Sequence, residues 1–221
     1  MSKLLKFKSW LSLEDTAKTL SLLLKEEVKI PDVLQLSLER QLNLSIVFIN
    51  SVVAKPCVTI PIEKAEFLQV PDLLSEFQNA LKKIPIGIKM SDGKSLTKVD
   101  QDTIVRLEGL YDLPMIGGEI ADIEQYMLDH FSVVERDAIY MDGSFVESLD
   151  GQLFQLQDDL NKFYENEIAG EPKNKPHYFP PSRLPEDAII VARPESIYAF
   201  VDAVLDKYKE PHDGQKEGAY L

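Results

Sequence analysis

Leu13, Ala17, Leu20 and Leu24 recur at three- and four-residue spacing behind the segment Ser12-Leu13-Glu14-Asp15. That spacing predicts an amphipathic helix beginning at Ser12. The Ser12 hydroxyl can accept from the amide three residues on, and Asp15 can reach back in return, a capping box with Asp in place of Glu. Glu14 and Asp15 also place negative charge in the first turn, where the helix dipole favours it. The run Lys25-Glu26-Glu27-Val28-Lys29 breaks the stripe. Ile30-Pro31-Asp32 opens a second helix, since proline is tolerated in a first turn, where its missing N–H is no loss. Val33, Leu34, Leu38 and Leu42 form its inner stripe, which ends near Gln41. Leu44 to Ile49 is apolar at nearly every position and rich in β-branched residues, which predicts a strand covered on both faces. Cys57 to Ile62 is a second extended run, and Pro56 and Pro61 push it toward a sheet edge.

Further along, Leu73, Leu74, Phe77 and Leu81 predict a helix over 72–83. Ile84, Ile86, Ile88 and Met90 then alternate as in a half-buried strand. Asp92-Gly93 marks a turn, and Thr103 to Leu107 reads as a returning strand. Pro114 and Gly117-Gly118 make 111–119 a loop. Asp122 to Phe131 predicts a short helix and Ala138 to Met141 a short strand. Phe145–Glu147 and Leu153–Leu156 bracket the turn signal Asp150-Gly151, a hairpin. Leu160, Phe163 and Tyr164 suggest a helical turn or two. Ala188 to Ala192 reads as a strand. The clearest helix opens at Pro194, with Ile197, Phe200, Val201, Val204, Leu205 and Tyr208 along one face.

Strands in runs with Asp-Gly turns, rather than regular strand–helix alternation, predict an α+β class. The architecture expected is an N-terminal helix pair, a mainly antiparallel sheet with hairpins, and a C-terminal strand and helix. The division expected is a helix-turn-helix-like module at 1–55, a β-rich α+β domain at 56–168, and a Pro-rich connector at 169–187. A strand and helix at 188–209 would pack on the main domain, with a loose polar tail at 210–221.

The 221 residues suffice for a sizeable core without metal or disulfide. No run approaches the ~18 apolar residues of a bilayer span. Lys3, Lys6 and Lys8 are not followed by a secretory apolar core, and one unpaired cysteine, Cys57, fits a reducing compartment, so a cytoplasmic setting is expected. The net charge of −13 is unevenly spread. Residues 1–110 hold 15 Lys+Arg against 14 Asp+Glu, and residues 111–221 hold 9 against 23. The second half therefore repels phosphate backbones and anionic membranes, and only the first half could meet nucleic acid.

That contrast defines the first candidate surface. Lys3, Lys6, Lys8 and Lys18 would supply electrostatic support, and Gln35, Arg40 and Gln41 are the residues on or beside the second helix that could read base edges or touch a protein. The second candidate is the loop carrying Asp112, Gly117, Gly118, Glu119 and Asp122. Its glycines could admit a close ligand, and its carboxylates could converge as acids or metal ligands. No Gly-Lys-Ser/Thr follows, which excludes a P-loop. His130, His177 and His212 are far apart and in no metal-ligand spacing, and no Gly-x-Ser-x-Gly elbow occurs. Neither a cofactor nor a metal is implied, and no catalytic residue is assigned.

Leu11-Ser12-Leu13-Glu14-Asp15-Thr16-Ala17 resembles the Leu-Ser/Thr-x-Glu-Glu-Ala-Ala opening of excisionase-type and MerR-type winged helix-turn-helix modules. The resemblance covers about 40 residues and implies DNA contact through the second helix. The link between the helices is longer than in those modules, and the second helix carries Asp32 and Glu39 with Arg40 as its one cation. Trp10 to Glu14, Leu42 to Ile46, Asp112 to Gly118 and Leu184 to Asp187 together are similar to a group of uncharacterised bacterial proteins associated with mobile elements, which implies a bacterial cytoplasm and no activity. The leading expectation is a non-enzymatic macromolecular-interaction protein, a regulator acting through its N-terminal helix pair. The partner expected is a protein, with DNA open through that module only, no membrane, and a homo-oligomer allowed. The alternatives are a small-molecule-binding protein or hydrolase using the 112–122 carboxylates, and a structural subunit of an oligomer.

Overall fold

The computed structural model describes residues 7–71, 81–89, 93–132, 142–159 and 177–209. In chain order the first elements are β1 (Leu11–Ser12), α1 (Leu13–Leu24), α2 (Ile30–Leu38), β2 (Leu44–Pro61), β3 (Phe67–Pro71), β4 (Leu81–Pro85), β5 (Ile88–Lys89), β6 (Ser95–Val99) and β7 (Val105–Asp112). There follow α3 (Glu119–His130), β8 (Phe145–Glu147), β9 (Leu153–Asp159), β10 (Tyr178–Phe179), β11 (Ile189–Ala192) and α4 (Pro194–Lys209). The class is α+β with a mainly antiparallel sheet, as expected. The chain forms two compact units: 1–44 together with 190–221, and 45–189 inserted between them.

In the discontinuous unit, β1 pairs antiparallel with β11, Leu11 opposite Ala192 and Ser12 opposite Val191. Ser12 caps α1, its Oγ accepting from the Asp15 amide at 3.2 Å. The reciprocal half of the expected box is absent, because the Asp15 carboxylate accepts from Lys8 Nζ at 2.8 Å. The buried hydroxyls of Thr16 and Thr19 donate to the carbonyls one turn back, at 2.8 and 2.7 Å. They therefore sit on the packed side without an orphaned donor. Lys25 in the left-handed region (φ 61°) stops α1. At α2 the Asp32 carboxylate accepts from the Lys29 amide at 2.7 Å, closing the first turn around Pro31. Helix α2 ends at Leu38, earlier than the stripe suggested, and Arg40 turns the chain at φ 58°. Leu13, Ala17, Leu20, Val33, Leu34, Leu42, Val191, Ile197 and Phe200 are buried. Each large apolar member contributes about 1.5–3 kcal/mol of burial.

In the inserted unit, the two expected strands 44–49 and 57–62 are one 18-residue strand, β2. Its register against β7 slips between Phe48 and Val52, where β2 carries two extra residues just beyond the pair Phe48–Gly109, with Gly109 at φ 90°. Further along, Val53 to Pro56 pairs with β9 and Cys57 to Pro61 with β6. Strand β7 meets β8 at Asp112–Glu147, and β8 pairs with β9 around the Asp150-Gly151 turn. Strands β2, β7, β8 and β9 thus pair in a closed ring, with Ala54, Leu107, Phe145 and Leu156 buried. Strand β10 extends β9 at Asp158 and Asp159.

Several expectations shift. The helix expected over 72–83 falls at 72–80 outside the described residues, and 81–85 is strand β4, paired with β3 in a separate two-stranded ribbon. The single strand expected over 84–90 divides at Gly87 (φ 138°), where a Cβ would sit 2.9 Å from the Thr97 carbonyl oxygen. Strand β6 was not foreseen. Strand β7 runs on through Tyr111-Asp112, which the sequence assigned to a loop, and α3 starts at Glu119 rather than Asp122. The expected elements at 138–141 and 160–164 lie outside the described residues, as does 169–176 of the Pro-rich stretch, while 177–187 contains β10. Among the described residues no helix is long and apolar enough to cross a membrane.

Candidate functional site

The loop between β7 and α3 is organised by one carboxylate. Glu119 is 0% exposed. Its Oε1 accepts from the amides of Ile116 (2.6 Å) and Gly117 (2.9 Å). Its Oε2 accepts from the Phe145 amide (2.9 Å). Burial holds this carboxyl above the usual range, opposed by the same amides. Three backbone donors that would otherwise be orphaned are satisfied by a side chain that no ligand can reach.

The two glycines are spent in the same way. A Cβ on Gly117 would strike the Gly143 carbonyl oxygen and the Phe145 ring, and one on Gly118 would lie 2.7 Å from Ser144 Oγ. The Gly118 amide donates to the Gly143 carbonyl at 2.7 Å. The close approach they permit is to the 143–145 backbone. Asp112 accepts from Ser45 Oγ at 2.6 Å. Of the five loop candidates, Asp122 lines a cleft.

The cleft has a volume of about 820 Å³ and lies at one end of the strand ring. The bulged stretch of β2 (50–53), Arg106, the end of β9, strand β10 and residues 181–187 line it. The bulge makes the cleft: β2 holds β9 at Val53–Gln157, after which β9 pairs with β10 instead, so the two strands part. Asp158, Asp159, Glu186 and Asp187 join Asp122 around it, against Arg106 and Arg183. The Asp122 carboxylate accepts from the Leu184 amide at 2.6 Å. Burial pushes its carboxyl up to about 6, with the Leu184 hydrogen bond and Arg183 opposing and Glu119 adding to the rise. Asp187 accepts from Asn50 Nδ2 at 2.5 Å. Sequence reasoning missed the cleft because its walls come from separate stretches scattered between residues 50 and 187. The acidic runs Asp158-Asp159 and Glu186-Asp187, each beside extended apolar residues, were the available signal.

The helix pair carries the other candidate surface. Lys3 and Lys6 lie outside the described residues. Lys8 is paired with Asp15, and Lys18 is exposed on α1. On α2 and just past it, Gln35 Nε2 and Gln41 Nε2 both donate to the Glu39 carboxylate, at 2.9 and 3.0 Å. Both amide groups are thereby turned onto a neighbouring acid, and Asp32 completes a solvent face without a cation until Arg40. Where α1 meets the turn into α2 there is an open apolar groove of about 610 Å³, formed by Ala17, Ser21, Leu22, Val28 and Ile30, with Glu14, Lys18 and Lys29 at its rim. Leu22 is 79% exposed there.

His130 Nδ1 lies 2.8 Å from the Tyr126 carbonyl oxygen, and its ring centroid lies 5.7 Å from that of Tyr126 with the planes tilted at 53°. His177 is exposed, and His212 lies outside the described residues. Cys57 is buried in the packed group of Phe145 and Leu153, and burial pushes its thiol up to about 12. Among the described residues no cluster of three or more His, Cys, Asp or Glu is arranged to hold a metal. Comparison with protein-family models, with curated proteins and with solved structures returned no match.

Proposed function

We propose that this chain is a non-enzymatic interaction protein whose discontinuous N-terminal unit docks a protein partner through the groove between α1 and α2. The observation that carries this reading is the groove itself: an apolar floor kept open to water around Leu22, in a small unit whose other large apolar residues are mostly buried. Isolated exposed leucines are ordinary, but a concave apolar patch rimmed by polar side chains marks an interaction surface. Lys18 and Lys29 on the rim, against Glu14, favour a partner segment that is apolar with flanking carboxylates.

The resemblance to excisionase-type and MerR-type modules would instead place DNA on α2. Asp32, Glu39 and the two glutamines bound to Glu39 give that side little to offer phosphates or base edges. The unit as a whole holds 11 Lys+Arg against 12 Asp+Glu and has no basic excess.

Two measurements test the reading together. A displayed library of random peptides should enrich apolar peptides carrying Asp or Glu, and Leu22→Asp should weaken their binding at least about tenfold, as removal of a central contact does. Absence of enrichment, or binding indifferent to Leu22→Asp, defeats the proposal. Anisotropy titration against duplex DNA at two salt concentrations should show no binding; affinity that falls with salt would transfer the function to DNA.

A further inference from the structure

Strands β3 and β4 form a ribbon of their own, Phe67 opposite Pro85 through Pro71 opposite Leu81. Phe67, Leu68, Leu81, Ile84 and the following Ile86 are each 44–61% exposed. Cross-strand partners share a face, so Leu68 and Ile84 lie together on one side, and Phe67 and Leu81 on the other. A solvated two-stranded ribbon with large apolar residues on both faces is marginal by itself and is a ready template for association.

Charge points to the occupant. Residues 81–99 hold five lysines and one aspartate, within an inserted unit that holds 13 Lys+Arg against 25 Asp+Glu. Lys82 and Lys83, both exposed, fall on opposite faces of the ribbon beside its apolar side chains. The strongest complement on the same unit is the cleft at the end of the strand ring, where Asp158, Asp159, Glu186 and Asp187 stand beside Tyr178 and Phe179. With Asp122 these acids outnumber Arg106 and Arg183 in the same lining, beside an aromatic wall, in a volume of about 820 Å³.

We propose that the β3–β4 ribbon of one copy docks in the cleft of a second copy, and that the two copies exchange ribbons reciprocally. Every copy carries both a ribbon and a cleft, so a reciprocal exchange makes two identical contacts about a two-fold axis. This dimer uses surfaces separate from the α1–α2 groove and stands or falls independently of it.

The test is sedimentation velocity on the full chain over a wide concentration range. Wild type should sediment as a dimer. Lys82→Glu with Lys83→Glu, and separately Asp158→Lys with Glu186→Lys, should each raise the dimer dissociation constant at least about tenfold, with circular dichroism unchanged. Should the cleft pair fail to fold, Glu186→Lys alone takes its place. Mixing the two variants should restore a dimer, since each contact in the mixed pair again joins opposite charges. A monomer at every concentration, a dimer untouched by either pair, or a mixture that stays monomeric each overturns the proposal.

Discussion

Replacing Glu119 by Gln tests whether a single side chain holds the β7–α3 loop. The carboxylate offers acceptors to three amides: Ile116 and Gly117 on Oε1, Phe145 on Oε2. Glutamine keeps one acceptor oxygen, which can serve the first two. Its NH₂ then faces the Phe145 amide, donor against donor, in a site with 0% exposure. An orphaned buried donor costs about 1–3 kcal/mol, and loss of a hydrogen bond to a charged group about 1.5–3 kcal/mol. These overlap, so Glu119→Gln should destabilise the inserted unit by about 2–4 kcal/mol. Urea unfolding followed by circular dichroism reads the global loss. Hydrogen exchange at the Phe145 amide reads the local one, and it should accelerate by at least about thirtyfold, as 2 kcal/mol implies. Stability within about 0.5 kcal/mol of wild type with an unchanged Phe145 amide would refute the clamp.

Four further outcomes follow from the same contacts. Gly118→Ala drives a Cβ to 2.7 Å from Ser144 Oγ and 3.2 Å from the Gly143 carbonyl carbon, and should cost about 1–3 kcal/mol in a melt; a neutral result would mean the 143–145 backbone yields freely. Ser12→Ala removes the α1 cap and should cost about 1 kcal/mol, visible as a lower urea midpoint. Cys57, buried with its thiol up to about 12, should resist a thiol reagent at pH 8 in the native protein and react fully in denaturant; rapid native labelling would show the site opens. For Asp122 the folded carboxyl, at about 6, lies above the ordinary 3.8. The folded state therefore holds the proton more tightly, and its stability falls as pH rises from about 4 to about 6. The full shift corresponds to about 3 kcal/mol, reduced to about 1–2 by partial exposure. Asp122→Asn keeps an acceptor for Leu184 and should flatten that part of the stability–pH curve; an unaltered curve would contradict the assignment.

The helices were legible because their stripes are long and their starts carry chemistry: Ser12 before α1, Pro31 in α2, Pro194 opening α4. The Asp150-Gly151 hairpin was legible for the same reason, a local turn between two apolar runs. What failed was non-local. Leu81-Lys82-Lys83 continues a helical spacing, yet β4 exists because 81–85 pairs with 67–71, and pairing overrides propensity. Strand β6 has one buried leucine, Leu96, and a buried Thr97 whose hydroxyl lies 3.3 Å from that of Thr59; without knowledge of that neighbour the segment reads as polar. Glu119 reads as a candidate loop acid because Gly-Gly can admit a close ligand and Asp112 and Asp122 stand near it in sequence. The apolar residues on both sides of it, Met115-Ile116 and Ile120, were the hint that it points inward.

Insertion of 145 residues between the halves of the first unit raises a physical question, since β1 must find β11 across that gap. For a flexible connection of that length the closure entropy is about 4–5 kcal/mol, comparable with the whole stability of a small unit. The inserted unit removes most of that cost if its own ends are held together once folded. Asn50 stands near its beginning and Asp187 near its end, and their side chains are hydrogen-bonded at 2.5 Å. Folded, the insertion behaves as a short connection; unfolded, it is a long loop that the first unit must close against entropy. Stability of the helix pair therefore depends on whether the inserted unit is folded, through chain connectivity, and a substitution such as Glu119→Gln, far along the sequence from α1, should lower the unfolding midpoint reported by Trp10.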